Sequence, residues 1–448
     1  GRIMFKQVDL TKDPILKALL IFALPMFFSS VFQALYNTMD TMIVGNTLGD
    51  TSLAAIGACG AIFELLIGFA LGVGNGLSIV CARAYGSKDE DLIKHSVGGS
   101  IVIGVFLTLV IMLISQVGLY PLLELLDTPA NIIDESYSYI ATVTLFVGIM
   151  FSYNLCAGLL RAIGNSMMPL VFLIISSVLN IGLDLYLITQ MNMGIKGAAV
   201  ATVIAQGISA LLCVIYIWKK APILIPKKEH FRFDKELYKE LAGQGFSMGF
   251  MMCIVSTGTV ILQSAINNLG YLIIAGHTTA RKLNSFCMMP ATTLAMALST
   301  FISQNKGANQ RERIIEGVKI SYKISIAWAA IATVLLFFAA EPLVALLSGS
   351  KEAVVIENGA NYLKINAPFY SALGILLSLR NSLQGLGRKM IPLVSSVIEF
   401  FGKIIFVIIL IPLLGYMGVI LCEPLIWCCM TAQLWYAFYH DPYIKANA

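Results

Sequence analysis

The chain has 448 residues, of which 58% are hydrophobic and 12% are charged, and its formal net charge is +5. Soluble domains are about half apolar and about a quarter charged, so this composition excludes an ordinary soluble protein and favours a membrane protein. Basic loops beside a membrane account for the small positive charge, and we expect no nucleic-acid partner.

Apolar runs of about 20 residues or more recur from one end of the chain to the other, and each can cross a hydrocarbon core about 30 Å thick. They lack the alternation of barrel strands, so we predict an all-α integral membrane protein with twelve transmembrane helices. The first run is too long for a signal peptide and is interpreted as a resident helix. The predicted spans are near residues 15–44, 53–82, 95–120, 132–160, 169–190, 196–218, 241–267, 271–303, 314–339, 355–384, 391–414 and 417–439.

Basic residues are distributed unevenly between the two ends of these spans. Most of the 30 Lys and Arg residues lie at the N-terminus or in the even-numbered loops, whereas the opposite side has only Lys196 and Lys351. Short loops rich in Lys and Arg stay on the cytoplasmic side of a membrane. We therefore predict that both termini are cytoplasmic.

The longest polar stretch divides the twelve spans into six and six. The sequence LLRAIGNSMMPLVFLIISSVL (159–179) in the first set aligns with SLQGLGRKMIPLVSSVIEFFG (382–402) in the second. Repeats of equal orientation occur in carriers, so we predict two pseudo-symmetric six-helix bundles around a central cleft. The predicted domains are an N-terminal bundle (1–218), a cytoplasmic linker (219–240) and a C-terminal bundle (241–448).

Two aspartates, Asp40 and Asp184, interrupt the apolar spans of the first bundle. A charge in mid-bilayer costs at least about 2.5 kcal/mol, and such residues usually face a cavity on an ion or substrate path. Asn180 lies four residues before Asp184 and shares its helix face. Similar depths place these three residues in one cluster with Thr202, Tyr36 and Tyr139.

The predicted cluster suits a small cation. Two neighbouring carboxyl groups do not both ionise easily in a low dielectric, which favours proton binding and release. The oxygens of Asp40, Asn180 and Asp184 could equally hold Na⁺, a hard cation that prefers oxygen ligands. Two simpler interpretations stay open: Asp40 could reach the outer interface, and Asp184 could be a packing residue paired with a tyrosine.

Several segments resemble the multidrug and toxic compound extrusion family, a family of twelve-helix cation-coupled exporters. The resemblance covers almost the whole chain and rests on LPMFFSSVFQALYNTMDTMIVGNTLGDTSLAAIG, GVGNGLSIVCARAYG, LLRAIGNSMMP and LNIGLDL. It implies an antiporter that exports organic cationic or aromatic drugs and toxins in exchange for H⁺ or Na⁺. The implied location is the cytoplasmic (inner) membrane of a prokaryote, with membrane lipid around a functional monomer. Related lipid and lipid-linked saccharide flippases share the architecture and give an alternative function.

The resemblance also bears on individual residues. Family members keep a cation site around matching aspartates in the N-terminal bundle, and a proline matching Pro25 is associated with bending of the first helix. The candidate residues for a substrate cleft are Gln33, Met150, Asn154, Gln263 and Arg281. Some members also use carboxylates on the seventh and tenth spans. Here the seventh span has only Gln263, which argues against a cation site in the second bundle.

Other charged residues fall in the second bundle. The repeat places Lys403 and Val407 opposite Asn180 and Asp184, so the role of Asp184 belongs to the first bundle alone. Glu399 and Lys403 are four residues apart, and we interpret them as an intrahelical ion pair, with a functional role as the alternative.

Three more residues of the second bundle have simple interpretations. Arg281 could line the cleft or pair with Glu399. Glu423 could fill the outer mouth of the last span, and His277 is interpreted as a buried, hydrogen-bonded histidine.

The remaining motifs exclude other functions. The nine cysteines fall inside predicted helices without metal-ligand spacing, so we interpret them as packing residues and expect no metal site beyond Na⁺. The sequence has no phosphate-binding P-loop and no H-E-x-x-H helix. We therefore expect neither an enzyme nor an ATP-driven pump, and no cofactor.

Overall fold

The computed structural model describes residues 8–446, and in this part of the chain all regular secondary structure is helical. The continuous apolar stretches form long helices because a helix satisfies every backbone hydrogen bond within its own segment. The helices are α1 (Ile15–Leu48), α2 (Asp50–Ala58), α3 (Gly60–Gly86), α4 (Glu90–Leu125), α5 (Ile133–Leu145), α6 (Val147–Ala162), α7 (Met167–Leu185), α8 (Ile195–Lys220), α9 (Lys235–Asn267), α10 (Tyr271–Gly307), α11 (Arg311–Ser348), α12 (Ala353–Asn366), α13 (Tyr370–Gly385), α14 (Met390–Ile405), α15 (Ile411–Leu414), α16 (Tyr416–Tyr439) and α17 (Pro442–Lys445).

The lengths of these helices confirm an all-α, multi-pass membrane protein. Within residues 8–446, ten helices are long and apolar enough to span a membrane, counting each with its π-helical or short α-helical continuation. The pair α5 and α6, bent by 51° at Phe146, raises the number to eleven. The predicted span 355–384 is interrupted by the 3₁₀ turn Ala367–Phe369, whose central proline lacks a backbone N–H.

One break was not predicted. The expected second span, 53–82, is divided into α2 and α3 at Cys59. Glycines stand two residues before and one residue after this cysteine, and glycine weakens a helix by up to about 1 kcal/mol relative to alanine. Cys59 therefore caps two helices instead of lying inside one. All nine cysteines are free thiols, but Cys428 and Cys429 are exposed, so the packing interpretation is wrong for these two.

Contacts divide the chain into two units. Among the described residues, the first unit comprises 8–13 together with Leu20–Cys253, and the second comprises Pro14–Leu19 and 254–446. The division therefore runs through α1 near its beginning and through the middle of α9.

The first unit includes a close contact between α3 and the first half of α9. A Cβ atom added at Gly76 would lie 2.5 Å from the Gln244 carbonyl oxygen, and one added at Gly72 would lie 2.9 Å from the Gly249 Cα. Small residues allow membrane helices to approach with their backbones nearly touching. The glycines of GVGNGLSIV therefore place α9 directly against α3.

The segment between α8 and α9 packs on the first unit through two histidines. His230 is buried, accepts a hydrogen bond at Nδ1 from the Lys227 N–H (2.9 Å) and donates from Nε2 to Asp91 Oδ1 (2.8 Å). His95 of α4 contacts the Arg232 carbonyl oxygen at 3.1 Å. The predicted linker is thus docked against α4.

The internal repeat is also visible at the ends of α7 and α14. Helix α7 continues into a π-helical turn at Tyr186–Gln190, and α14 continues into another at Phe406–Leu410. Asp184 and Lys403 lie two or three residues before these turns. Turns of π-helix are rare overall but are frequent at functional sites. Asp184 and Lys403 therefore both lie at positions typical of functional residues.

Candidate functional site

A cavity of about 220 Å³ lies inside the first unit, between α1, α3, α5, α6, α7 and α8. Its lining contains five hydroxyl- or amide-bearing residue types and one acid, and none of the lining residues is basic. The polar lining residues are Gln33, Tyr36, Asn37, Asp40, Tyr139, Tyr153, Ser176, Ser177, Asn180, Thr202 and Gln206.

The two predicted aspartates lie near each other at this cavity. Asp40 of α1 is half-buried and lines the cavity, whereas Asp184 of α7 is fully buried and interacts electrostatically with Asp40. Among the described residues, no hydrogen-bond partner is present for Asp40 Oδ1 or for either oxygen of Asp184. Buried carboxyl oxygens are normally paired, so this pair has open capacity for a proton or a cation.

Neutral groups complete the arrangement. Asn180 Nδ2 donates to Thr202 Oγ1 at 3.2 Å, and Thr202 Oγ1 donates to the Ala198 carbonyl oxygen at 3.1 Å. The amide nitrogen is thereby turned towards α8, while Asn180 Oδ1 is buried with no partner within the described chain. The amide oxygen is consequently available, like those of the carboxyl groups, to a cation.

The two predicted tyrosines also belong to this cluster. Tyr36 interacts with Asp40, Asp184 and the Thr202 hydroxyl, and Tyr139 interacts electrostatically with both carboxyl groups. A tyrosine hydroxyl can donate to a carboxylate or accept from a protonated one. The structure therefore brings together all six residues proposed for cation binding.

The five proposed substrate residues do not form one group. Gln33 and Met150 line the cavity. Asn154 lies one turn after Met150 on α6 and packs against α3. A Cβ atom added at Gly74 of α3 would lie 3.1 Å from the Asn154 Nδ2 atom. Gln263, in the second unit, donates to Asn267 Oδ1 at 2.8 Å.

Arg281, the fifth of these residues, forms an ion pair that the sequence did not predict. Its Nη1 atom lies 2.8 and 2.9 Å from the two carboxyl oxygens of Glu423, and it also donates to the Tyr362 hydroxyl at 3.1 Å. Pairing with Glu399, one of the two alternatives for Arg281, is therefore wrong, and Glu423 has an ion-pair role that the sequence did not predict. Glu423 is buried, and pairing with an arginine from a facing helix stabilises its charge.

The expected ion pair between Glu399 and Lys403 is also wrong. Lys403 instead reaches Thr259 of α9, with 3.5 Å between Nζ and the hydroxyl oxygen. Its stem passes over Gly258, where an added Cβ would lie 3.2 Å from the Lys403 Cδ. The spacing rule for helix pairs describes exposed faces, whereas packing against α9 directs this buried lysine away from its own helix.

The prediction for His277 is confirmed. Its Nδ1 atom forms a hydrogen bond of 2.9 Å with the Tyr416 hydroxyl, and its ring is in edge contact with Tyr362. His277 is thus a buried, hydrogen-bonded histidine.

Pro25 lies within α1, and the helix continues without a break on both sides of it. The Ser166 hydroxyl, at the beginning of α7, donates to the Phe22 carbonyl oxygen at 2.7 Å. This contact joins α1 to the helix that carries Asp184, three residues before the proline.

Sequence reasoning missed several polar residues of the cavity. Gln206 lies four residues after Thr202 on α8, and Ser176 lies four residues before Asn180 on α7. Residues four apart share a helix face. Extending each predicted face by one turn would have identified both side chains.

Comparison with known proteins shows the family of this chain. The model of the MatE family matches residues 25–186 and again residues 248–409. YoeA, a probable multidrug resistance protein of Bacillus subtilis, is 28% identical over 399 residues, which cover 88% of this chain and 86% of YoeA. MepA, a multidrug export protein of Staphylococcus aureus, is 23% identical over 431 residues and 94% of each chain.

Solved structures show the same fold. A crystal structure of MATE in the bent conformation superposes with a TM-score of 0.88 at 20% identity and covers 97% of both chains. An outward-facing structure of a multidrug resistance MATE family transporter gives a TM-score of 0.87 at 21% identity over 99% of this chain and 98% of that one. The chain belongs to the MatE family, a family of transporters, and is a multi-pass membrane protein.

Proposed function

We propose that this protein is an antiporter that exports organic cationic or aromatic compounds, including drugs and toxins, across the cytoplasmic membrane of a prokaryote. The coupling ion is H⁺ or Na⁺, and the monomer is the functional unit. The observation that carries the proposal is the pair of carboxyl groups, Asp40 and Asp184, whose buried oxygens lack partners in the described chain beside a polar cavity. The names of YoeA and MepA support export of drugs.

The carboxyl pair can couple an ion gradient to a change of conformation. Asp40 lies on α1 and Asp184 on α7, so a proton or Na⁺ held between them favours the conformation in which these helices are close. Release of the ion leaves two repelling carboxylates and favours separation. A ligand shifts a conformational equilibrium only by its difference in affinity for the two states, and this pair supplies such a difference.

The cavity is large enough for the coupling ion but smaller than the usual pocket for a drug-sized cargo. Pockets for drug-sized ligands usually have volumes of about 300–1,000 Å³, whereas this cavity has about 220 Å³. Each water molecule occupies about 30 Å³ in the liquid, so the cavity holds a hydrated ion or a small part of a solute. Gln33 and Met150 place a polar and a flexible apolar contact at its wall.

The alternative function, a lipid or lipid-linked saccharide flippase, receives no support from the arginines. A pyrophosphate group requires arginines that can turn towards it. Arg281 is engaged with both oxygens of Glu423, and Arg380 is buried with its Nε bonded to Ser395.

Transport into proteoliposomes tests the proposal. Purified protein is reconstituted, a pH gradient or a Na⁺ gradient is imposed, and the movement of ethidium, a fluorescent organic cation, is recorded. The wild-type protein should move ethidium under at least one gradient, and the effective gradient identifies the coupling ion.

Substitutions then test the site. Asp40→Asn and Asp184→Asn should each abolish gradient-driven movement, because an amide neither takes up a proton nor carries the negative charge that holds Na⁺. The double variant should be little worse than either single variant, since the two residues act as one unit. Asp50→Asn, at an exposed aspartate of α2, is the matched control and should behave as the wild type. Normal ethidium movement by Asp40→Asn would refute the mechanism.

A further inference from the structure

The first unit has a second cavity, a groove of about 830 Å³ between α4, α6 and α8 that also reaches the bend at Phe146. None of the residues that line this groove lines the candidate ion cavity. Ile149 and Ser152 of α6 line the groove, and Met150 and Tyr153 of the same helix line the ion cavity. The groove is therefore a separate site, on the other side of α6.

The wall of the groove is apolar, and none of its lining residues is charged. Its two hydroxyl groups donate to their own helices: Thr108 to the Gly104 carbonyl oxygen at 2.9 Å, and Ser152 to the Gly148 carbonyl oxygen at 2.7 Å. A site for a drug-sized solute usually adds a few placed polar or charged groups to an apolar wall. This wall therefore suits an alkyl chain better than an organic cation.

The edges of the groove are exposed and apolar. Val105 of α4 and Leu211 of α8 are 54% and 61% exposed, and residues 96–119 of α4 include no charged side chain. Large exposed apolar patches mark sites of contact with a membrane or a partner. Because this surface belongs to membrane-spanning helices, the acyl chains of the bilayer reach the groove directly.

The length of the groove matches one leaflet of a bilayer. Its wall on α4 extends from Ile101 to Met112, a distance of roughly 16 Å at about 1.5 Å per residue. Half of a hydrocarbon core about 30 Å thick is about 15 Å. One acyl chain can therefore lie along the whole groove.

Basic residues lie where the headgroup of such a lipid would be. Helix α8 follows the groove up to Val214 and ends at Lys219 and Lys220, which are both exposed. Neither lysine is in an ion pair within residues 8–446. Trp218, one turn after Val214, is 71% exposed, and tryptophan is enriched at the membrane–water interface. Lysines at that interface attract anionic headgroups.

We propose that the groove binds one acyl chain of an anionic phospholipid and that Lys219 and Lys220 receive its phosphate group. The apolar wall, the length of the groove and the charge at its end all fit this ligand. Lipid binding needs no ion gradient, so its test is independent of the proposed transport function.

Native mass spectrometry of the purified protein in detergent counts bound lipids directly. Phosphatidylglycerol, which is anionic, is titrated in parallel with phosphatidylcholine of the same acyl chains, which has no net charge. The wild-type protein should hold one phosphatidylglycerol molecule more tightly than any further copy. It should also bind phosphatidylglycerol more tightly than phosphatidylcholine.

Two glycines allow the groove to be filled. A Cβ atom added at Gly207 would lie 3.5 Å from the Ile149 Cγ2 atom, and one added at Gly148 would lie 3.9 Å from Thr108, which are ordinary contact distances. Gly207→Leu and Gly148→Leu should each weaken binding of both lipids by roughly tenfold, because the acyl chain loses its packing contacts. Gly118→Leu, on α4 outside the groove, is the matched control, since its Cβ meets nothing within 4 Å, and it should bind both lipids normally.

The lysines test the headgroup. Replacing Lys219 and Lys220 with Gln should weaken phosphatidylglycerol binding by about fivefold for each lysine, the value of one basic residue near an anionic surface. Binding of phosphatidylcholine should stay within about twofold, because its headgroup has no net charge. Replacing Lys235 and Lys239, two exposed lysines of α9, with Gln is the matched control and should change neither affinity.

Several results would overturn the proposal. Unchanged lipid binding in the glycine variants would exclude the groove, and equal weakening of both lipids in the lysine variant would exclude the phosphate contact. If a glycine variant does not fold, the other one and the lysine variant still decide.

The same spectra reveal two other occupants. A wild-type dimer that Gly207→Leu converts to a monomer would assign the groove to a second copy of the chain. Ethidium that binds to the wild-type protein but not to Gly207→Leu, with lipid binding unchanged, would assign the groove to cargo. Either result contradicts a lipid site.

Discussion

Replacing either Arg281 or Glu423 alone should destabilise the protein far more than replacing both residues together. Loss of one partner from a buried ion pair typically costs about 3–5 kcal/mol, because the other charge is left uncompensated. The Arg281 side chain is 35% exposed and that of Glu423 is 11% exposed. Water can reach part of the guanidinium group, so we expect the lower end of the range, about 3 kcal/mol, for Arg281→Met and for Glu423→Met.

The double variant should be much less affected. Replacing a buried ion pair with apolar residues of similar volume is often close to neutral. The double variant also loses the hydrogen bond from Arg281 to Tyr362, which contributes about 1 kcal/mol. A total near 1 kcal/mol against about 3 kcal/mol for each single variant implies a coupling energy of roughly 5 kcal/mol.

Reversible unfolding in mixed detergent micelles, followed by tryptophan fluorescence, measures these free energies. The pair Lys364 and Glu341 in the same unit is the matched control, since its side chains are 28% and 44% exposed. Exposed ion pairs contribute about 0–1 kcal/mol, so its double-variant cycle should show little coupling. Additive losses in the Arg281 and Glu423 variants would show that the two charges are solvated independently and that the pair does not hold α10 against α16.

Two further predictions concern α1 and α3. Gly76→Ala should lower the free energy of unfolding in the same assay by about 1–3 kcal/mol, because its Cβ would lie 2.5 Å from the Gln244 carbonyl oxygen. Gly118→Ala, whose Cβ would meet nothing within 4 Å, should be neutral or slightly stabilising, and an equal loss there would contradict the packing argument. Pro25→Ala should slow ethidium transport while expression and unfolding stay near wild type; unchanged turnover would show that the proline is only a passive bend.

The sequence sufficed to predict the members of the first site because they are polar residues within predicted membrane spans that are otherwise apolar. A carboxylate such as Asp40 or Asp184 stands out within an apolar run, and the spacing of Asn180 on the same helix face follows from helix geometry. Depth along the spans then brought Thr202 into the same layer. The structure brings these residues together, while their role in cation binding and the coupling ion stay predictions.

The second unit was harder to predict because its polar contacts join distant parts of the chain. Arg281 and Glu423 are 142 residues apart, and no local spacing rule connects them. For Lys403, the local rule suggested Glu399 and was overridden by packing against Thr259. Which charges meet inside a bundle depends on helix rotation, which one sequence does not specify when several helices carry a charge.

The division of α9 between the two units has a consequence for biosynthesis. The first unit includes residues up to Cys253, so its packing surface at Gly72 and Gly76 stays unfilled until the ribosome has made the seventh predicted span. The beginning of α1, Pro14–Leu19, belongs to the second unit and must wait for residues synthesised much later. Helix α1 is therefore fully docked only after most of the chain that follows it has been made, and a ribosome that stalls in the loop before α9 leaves neither unit complete.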